Sequence, residues 1–338
     1  MSNWSKIANA LPLAALLLTV AILPRAIAWL KRLNFGQNIR EEGPKEHQKK
    51  AGTPTMGGII FVPVGIVAGL AMDYAYSLNE AANSGTTRAA LILAAFTLGG
   101  LFIGWLDDYR SIKFGKSLGL KAREKLVLQF VVSAVFLYLA HDAPVPVSLR
   151  AATAIESAQA WYHWVALLFV CVWLINAANL ADGLDGLAAS QALIAILSIF
   201  LGVWALGVYG HLSGFLGPVA MIGALLGFLC FNAPPARVFM GDTGSIALGC
   251  FVVGYGMMCV PLYILLLATA VWSLEALSVV IQVIYFKLSG GKRIFKMSPI
   301  HHHFELCGWP ESHVTMRFVA LSIVCGILLP MALAGWSK

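Results

Sequence analysis

Long apolar runs broken by short polar segments set the pattern of this chain. Reading each run as a spanning helix predicts ten, near residues 10–30, 55–76, 89–106, 125–141, 161–178, 187–206, 215–231, 246–260, 262–286 and 314–333. A bilayer's hydrocarbon core needs about 20 apolar residues to cross it. The clearest run, Ala89 to Leu106, carries no charge and then stops on two adjacent carboxylates, Asp107 and Asp108. Most runs are apolar on every side, as expected of helices surrounded by lipid or by one another. The expected fold class is therefore all-α: a polytopic integral membrane protein, with one transmembrane domain over residues 1–338.

The N-terminal run has a competing explanation. Lys6, the apolar stretch Leu11 to Ile22 and Ala26-Ile27-Ala28 resemble a cleaved signal peptide. Pro24 and Arg25 sit awkwardly before the supposed cleavage site, and apolar residues continue to Leu30, so an uncleaved first helix is expected.

Between the runs the loops alternate in character. One set comprises 31–54, 107–124, 179–186, 232–245 and 287–313. With the helix-end residues Lys125 and Arg317 it holds 18 of the 23 Lys and Arg. The opposite side holds Lys6, Arg88, Arg150 and Lys338, and Arg25 lies within the first run. The positive-inside rule makes the cation-rich set cytoplasmic. An even number of spans then leaves both termini on the other side.

Composition agrees. Hydrophobic residues are 59% of the chain and charged residues 12%, about half the share usual in soluble domains. The six cysteines show neither CxxC nor zinc-ligand spacing, so neither a disulfide framework nor a zinc site is indicated.

Polarity concentrates in the five cytoplasmic loops, and each loop offers chemistry. Before the second span, Lys50 and Thr55 lie in a glycine-rich stretch suited to phosphate or a base edge; Lys45 and Lys49 read as ordinary loop cations. Asp107 and Asp108 point about 100° apart on a helix, so one can hold a metal while the other acts as a base. Residues 176–186 supply Asn179, Asp182, Gly183 and Asp185, with acids three apart and glycines exposing backbone N–H groups. A helix cap explains some of these residues but not all. Residues 232–245 supply Asn232, Phe239, which could stack on a base, and Asp242, a candidate metal carboxylate or nucleophile. Asp242-Thr243-Gly244-Ser245 would suit an aspartic protease, but the β-rich sequence and second copy of that fold are missing. His301, His302, His303 and Glu305 could bind zinc, yet adjacent histidines reach one ion with difficulty; phosphate or a polarised hydroxyl fits better. Glu275, inside the ninth run, reads equally as a functional acid or a hydrogen-bonded helix tie.

Taken together, these stretches resemble a known family. Residues 53–58 (Thr53-Pro54-Thr55-Met56-Gly57-Gly58), Asp107-Asp108-Tyr109, residues 179–186, residues 239–245 and residues 297–305 are similar, in order, to the motifs of the phospho-N-acetylmuramoyl-pentapeptide transferases. That family is the bacterial branch of the polyprenyl-phosphate N-acetylhexosamine-1-phosphate transferases. The resemblance covers about residues 31–313, and the triple histidine followed by Phe304 and Glu305 favours the muramoyl branch over its N-acetylglucosamine relatives. It implies transfer of phospho-MurNAc-pentapeptide from UDP-MurNAc-pentapeptide to undecaprenyl phosphate, giving lipid I and UMP, with Mg²⁺ as cofactor. It further implies an enzyme of the bacterial cytoplasmic membrane, surrounded by membrane lipids, homodimeric, with no nucleic-acid partner.

The resemblance also implies roles. Asp107, Asp108, Asp242 and His301 match catalytic positions, and Asp242, with Asp108, matches the metal site. Lys50, Thr55, Asn179, Asp182, Gly183, Leu184, Asn232 and Phe239 match the uridine pocket and its surroundings, with Asp185, Gln282 and His302 near the site. One departure stands out: Ser111 replaces the family's usual Lys, leaving Arg110, Lys113 or Lys116 to take its phosphate contact. A sister enzyme using UDP-GlcNAc and a lipid transporter are the alternatives. The transporter fits poorly, because its polar groups would gather at the midplane rather than at one face.

Overall fold

Where the structure describes them, the predicted apolar runs are helical, with the ninth divided between two helices. The computed structural model describes residues 3–33, 50, 52–78, 84–113, 119–141, 161–205 and 217–335; Lys45, Lys49 and Lys116 lie outside them. The helices are α1 (Asn3–Arg32), α2 (Gly58–Ser77), α3 (Ser84–Lys113), α4 (Ala122–His141), α5 (Trp161–Leu180), α6 (Leu187–Ala205) and α7 (Pro218–Asn232). They continue with α8 (Gly241–Cys259), α9 (Leu262–Ala268), α10 (Ala270–Leu288), α11 (Ile300–Leu306) and α12 (Glu311–Ile323), which runs through a π turn (Val324–Leu328) into α13 (Leu329–Gly335). Among the described residues nine helical stretches are long and apolar enough to cross a membrane, and α7, with 15 residues, is shorter. No β-strand occurs among the described residues.

The bundle is organised around α8, which is buried from Thr243 to Cys259. Its most extensive partner is α3, and α2, α5 and α6 close the remaining sides. Small residues permit this. A Cβ built on Gly104 would stand 2.0 Å from the Asp242 carbonyl oxygen, and one on Gly58 would stand 2.3 Å from Gly244 Cα. Helices α2, α3 and α8 therefore meet backbone to backbone at one end. By contrast, α1 leaves Leu13, Leu17, Leu18 and Trp29 exposed on its outer face, as a helix bordering lipid does.

The structure departs from the apolar pattern in three places. Helix α3 does not stop at Leu106 but continues to Lys113. Trp105 stacks on Tyr109 and Lys113 lies over the Tyr109 ring, i,i+4 contacts that support the added turns. Helix α8 begins at Gly241, five residues before the apolar run, because Asp108 of α3 caps it from outside: the amides of Asp242 and Thr243 donate to the Asp108 carboxylate at 3.2 and 2.9 Å. The ninth run is broken at Thr269, whose hydroxyl donates to the Leu265 carbonyl at 2.8 Å and whose backbone (φ −110°, ψ 14°) leaves the helix. Side-chain bonding of this kind competes with the helical ladder and bends it.

The segments leading into α2 and α8 are tied to each other. The Phe239 amide donates to the Pro54 carbonyl, the Gly57 amide to Phe239 and the Gly58 amide to Met240, at 2.8, 2.8 and 3.0 Å. Between them Met56, fully buried, holds φ at 71°, a left-handed conformation uncommon for a residue with a side chain. The pairing over-determines this backbone and sets Thr55 against the first residue of α8.

Candidate active site

Two helix ends bring three acids into one cluster. Asp107 and Asp108 come from the last turns of α3 and Asp242 from the first turn of α8; each offers an oxygen within 4.8 Å of the others. Among the described residues this is the only grouping of three or more His, Cys, Asp and Glu with that proximity. The contact at Gly104 holds α3 and α8 too close for the acids to separate.

Each acid has a different employment. Asp108 is the outside cap of α8, accepting from two backbone amides and from the Thr243 hydroxyl at 2.6 Å. Asp242 accepts from the Asn179 side-chain amide at 2.9 Å and pairs with the Lys125 ammonium. Asp107 accepts from the Leu120 amide at 2.8 Å and lies 3.3 Å from Lys125. Lys125 thus bridges the Asp107 and Asp242 carboxylates and partly offsets a concentration of negative charge that is costly in a half-buried setting. The Asn179 amide also reaches Ser245 at 2.8 Å, tying the end of α5 to α8.

The loop between α5 and α6 forms a second wall. Burial raises the Asp182 carboxyl well above its ordinary value, and the charges of Asp242, Asp108 and Asp185 push it in the same direction. Asp185, almost fully buried, accepts from Lys50 at 2.6 Å and from the Ala236 amide at 2.8 Å. Lys50 turns its ammonium also to Glu311 at 2.5 Å, and Glu311 accepts from the Asp185 amide at 2.8 Å. This triangle locks the start of the α2 segment onto the loop and onto α12. Gly183 faces His301: a Cβ there would stand 2.2 Å from Nε2. His301 is wholly buried, with its Nδ1 against the Glu275 carboxylate.

The sequence-predicted residues thus sort into groups. Asp107, Asp108, Asp242, Asn179 and Asp182 form the acidic centre. Thr55 stands at its edge: its hydroxyl and the Asp108 carboxylate both lie close to where a Cβ on Gly241 would be, at 2.7 and 2.5 Å. Lys50, Asp185, Gly183 and His301 line the adjoining wall. Others brace rather than face it. Asn232 donates to the Val238 carbonyl at 2.9 Å and shapes the turn that carries half-buried Phe239. Leu184 packs with Leu187, Val271, Val314 and Phe318, seating the loop on α12. Gln282 accepts from the amides of Ile294 and Phe295 and donates to the Phe295 carbonyl, pinning the segment before α11. His302 bonds Glu305 at 2.7 Å, and His303 accepts from the Lys296 amide at 3.1 Å. The three histidines therefore have separate partners and do not converge on one ion.

Lys125, Thr243 and Glu311 were absent from the sequence-derived site. Of the cations expected to cover for Ser111, Arg110 pairs with Glu124 at 3.2 Å and Lys113 lies over Tyr109. Among the described residues, Lys125 is the cation that reaches the acids. In the sequence it was one of a dense set of cations behind Asp107 and Asp108, with no specific contact assigned, and Glu311 looked like an ordinary first-turn acid.

Comparison with known proteins converges on these same segments. A profile of glycosyl transferase family 4 matches residues 90–260, from α3 through α8, and the first signature of phospho-N-acetylmuramoyl-pentapeptide-transferase matches residues 50–62. The chain is similar to the phospho-N-acetylmuramoyl-pentapeptide-transferase of Bacillus subtilis, with 41% identity over 317 residues and 94% of each chain covered. It is similar to the protein of the same name from Oceanobacillus iheyensis, with 40% identity over 315 residues, 93% of this chain and 94% of that one. The counterpart from Bacillus anthracis is 41% identical over 315 residues, with the same coverage.

Proposed function

Because the chain belongs to the phospho-N-acetylmuramoyl-pentapeptide transferase family, we propose that it transfers phospho-MurNAc-pentapeptide from UDP-MurNAc-pentapeptide to undecaprenyl phosphate, forming lipid I and UMP in peptidoglycan synthesis. The observation that carries this is the convergence of Asp107, Asp108, Asp242 and Lys125 where helices α3, α4 and α8 end. Two phosphate anions must meet in this reaction, and only a site of mixed acids and cations at a membrane boundary can accept both.

The oxygen-only donor set suits a hard divalent cation, which favours Mg²⁺ over zinc. Asp242 would hold it, with Asp108 alongside; bound there, Mg²⁺ supplies charge neutralisation for the donor's phosphates. The protein's own groups do the rest. Asp107 orients the lipid phosphate and holds its proton when one is present. An oxygen of that phosphate attacks the sugar-linked phosphorus in line, and the bond from that phosphorus to the UMP oxygen breaks. Lys125, between Asp107 and Asp242, offsets charge that gathers as the two anions approach. Lys50, Asp185 and Phe239 hold the uridine end beside Gly183 and His301. A direct displacement suits this arrangement, since a positioned phosphate monoester is already a nucleophile; a phospho-aspartate route is the alternative. The cation-rich loops face the cytoplasm in this reading, both termini lie on the other side of the bacterial inner membrane, and the enzyme works as a homodimer.

The test is UMP release by purified protein in detergent with undecaprenyl phosphate, offered UDP-MurNAc-pentapeptide or UDP-GlcNAc. Turnover of the muramoyl donor, dependent on Mg²⁺ and reduced at least about 10³-fold in Asp242→Asn, is the expected result. Preference for UDP-GlcNAc would replace the reading with the sister activity, and turnover unchanged in Asp242→Asn would remove Asp242 from the site.

A further inference from the structure

Glu275 is the one intramembrane acid of α10 that the transfer chemistry leaves without a role. It is completely buried. One carboxylate oxygen, Oε2, meets His301 Nδ1, and the other, Oε1, faces the Gln191 side-chain amide of α6 at 3.5 Å. Ser278 donates to the Glu275 backbone carbonyl at 2.6 Å, steadying the turn that carries it. A buried carboxylate with both oxygens directed at donors is an acceptor, and the ring nitrogen it faces must then carry the proton. On the far side of the same ring, His301 Nε2 is buried and has no hydrogen-bond partner among the described residues. It points at the backbone of Gly183, the residue after Asp182 in the loop that walls the acidic centre. Only a glycine leaves that approach open.

We infer that Glu275 is a positioning residue: it fixes His301 as the Nδ1–H tautomer, so that the Nε2 lone pair faces the donor-binding loop at Gly183. This rests on the transfer reaction proposed above and adds to it. Nε2 becomes an acceptor, able to take a hydrogen bond from a hydroxyl of the bound sugar nucleotide or a proton released beside it. A histidine held in the opposite tautomer presents a donor there and can accept neither a hydrogen bond nor a proton at Nε2. Gln191 and Glu275 belong to two different helices, α6 and α10, so the orientation of the ring depends on how those helices pack below the site. The buried acid is thus tied to the chemistry through one imidazole.

The test uses full-length protein in detergent with two readouts. The first is the nitrogen spectrum of histidine-labelled protein, with the His301 signals identified by their loss in His301→Asn. The expected result is a protonated Nδ1 and a bare Nε2. A proton on Nε2, or on both nitrogens, overturns the inference. The second readout is steady-state kinetics of Glu275→Ala and Glu275→Asp, with folding checked by thermal midpoint. Glu275→Ala is expected to lower kcat about 100-fold with KM for the sugar nucleotide within about threefold, and Glu275→Asp, which keeps an acceptor, to recover about tenfold of that loss. A folded Glu275→Ala with wild-type kcat overturns it too; where that variant does not fold, the wild-type spectrum decides alone. Wild-type protein that fails to release UMP would sink the transfer reading and leave the tautomer result standing.

Discussion

Two aspartates, one half-buried and one buried, do the same structural job at opposite ends of the bundle. Asp108 of α3 caps the start of α8 through the amides of Asp242 and Thr243. Asp73 of α2, 15 residues beyond Gly58 and so about 22 Å further along the helix, accepts from the Gly217 amide at 2.7 Å, just before α7. In each case an acid on one helix satisfies an orphan amide at the start of another, which also favours negative charge there. The surroundings differ. Beside Asp73 lies a small cavity lined by Ile66, Leu70, Leu93 and Phe251. Around Asp108 stand two further acids, a lysine and the Asn179 amide. A capping acid becomes part of a reaction site when other chemistry converges on it, and not through burial alone.

Substitutions can break that comparison. The largest effect is expected from Asp108→Ala, which removes the cap of α8 and with it the placement of Asp242: UMP release should fall roughly 10²–10³-fold. Retention of activity would reduce Asp108 to a plain cap like Asp73. Lys125→Met comes next. It leaves Asp107 and Asp242 facing each other without their bridging cation, and kcat should drop by about 100-fold, whereas Arg110→Met at the exposed pair with Glu124 should change it little. Asp73→Ala should leave kcat within about twofold and cost about 1–3 kcal/mol of stability, the usual penalty for an unpaired buried amide, seen as a lower thermal midpoint.

The smallest effect sharpens the electrostatics. The Asp182 carboxyl titrates well above its ordinary value in the folded protein, so folding favours its protonated form. Wild-type stability is then fully retained below the ordinary carboxylate range and declines as pH rises toward the elevated value. Asp182→Asn escapes that decline. In metal-free protein its thermal midpoint should exceed the wild type by a few degrees at pH 8, about the effect of 1 kcal/mol. The advantage should shrink as pH is lowered, and an advantage independent of pH would refute the electrostatic account.

Much of this arrangement could be read from the chain. Hydropathy alone located the nine helical stretches that are long and apolar enough to cross a membrane among the described residues, because lipid demands a continuous apolar run and tolerates few exceptions. The acids, Lys50 and His301 announced themselves as polar residues crowded at run ends. What hydropathy misses is where a helix stops once tertiary groups can satisfy its end: the early start of α8 depends on Asp108, 133 residues before Gly241 in the chain. The same limitation hid Lys125 and Glu311. A cation at a helix end and an acid in a first turn are ordinary locally, and only the fold brings them to Asp242 and Lys50. The break at Thr269 was hidden for another reason, since one hydroxyl bonded to its own helix leaves no mark on an apolar pattern.

The backbone contacts at Gly58, Gly104 and Gly244 have a consequence for life in a changing membrane. Outer helices such as α1 can tilt or bend as the bilayer thickens or thins, because their contacts with lipid are soft. The spacing of the three acids is set instead by chain against chain, with no side chain between to compress or relax. Acyl composition and growth temperature should therefore alter how tightly the polyprenyl acceptor docks long before they alter the geometry that receives its phosphate. The enzyme carries its own rigid ruler inside a deformable coat.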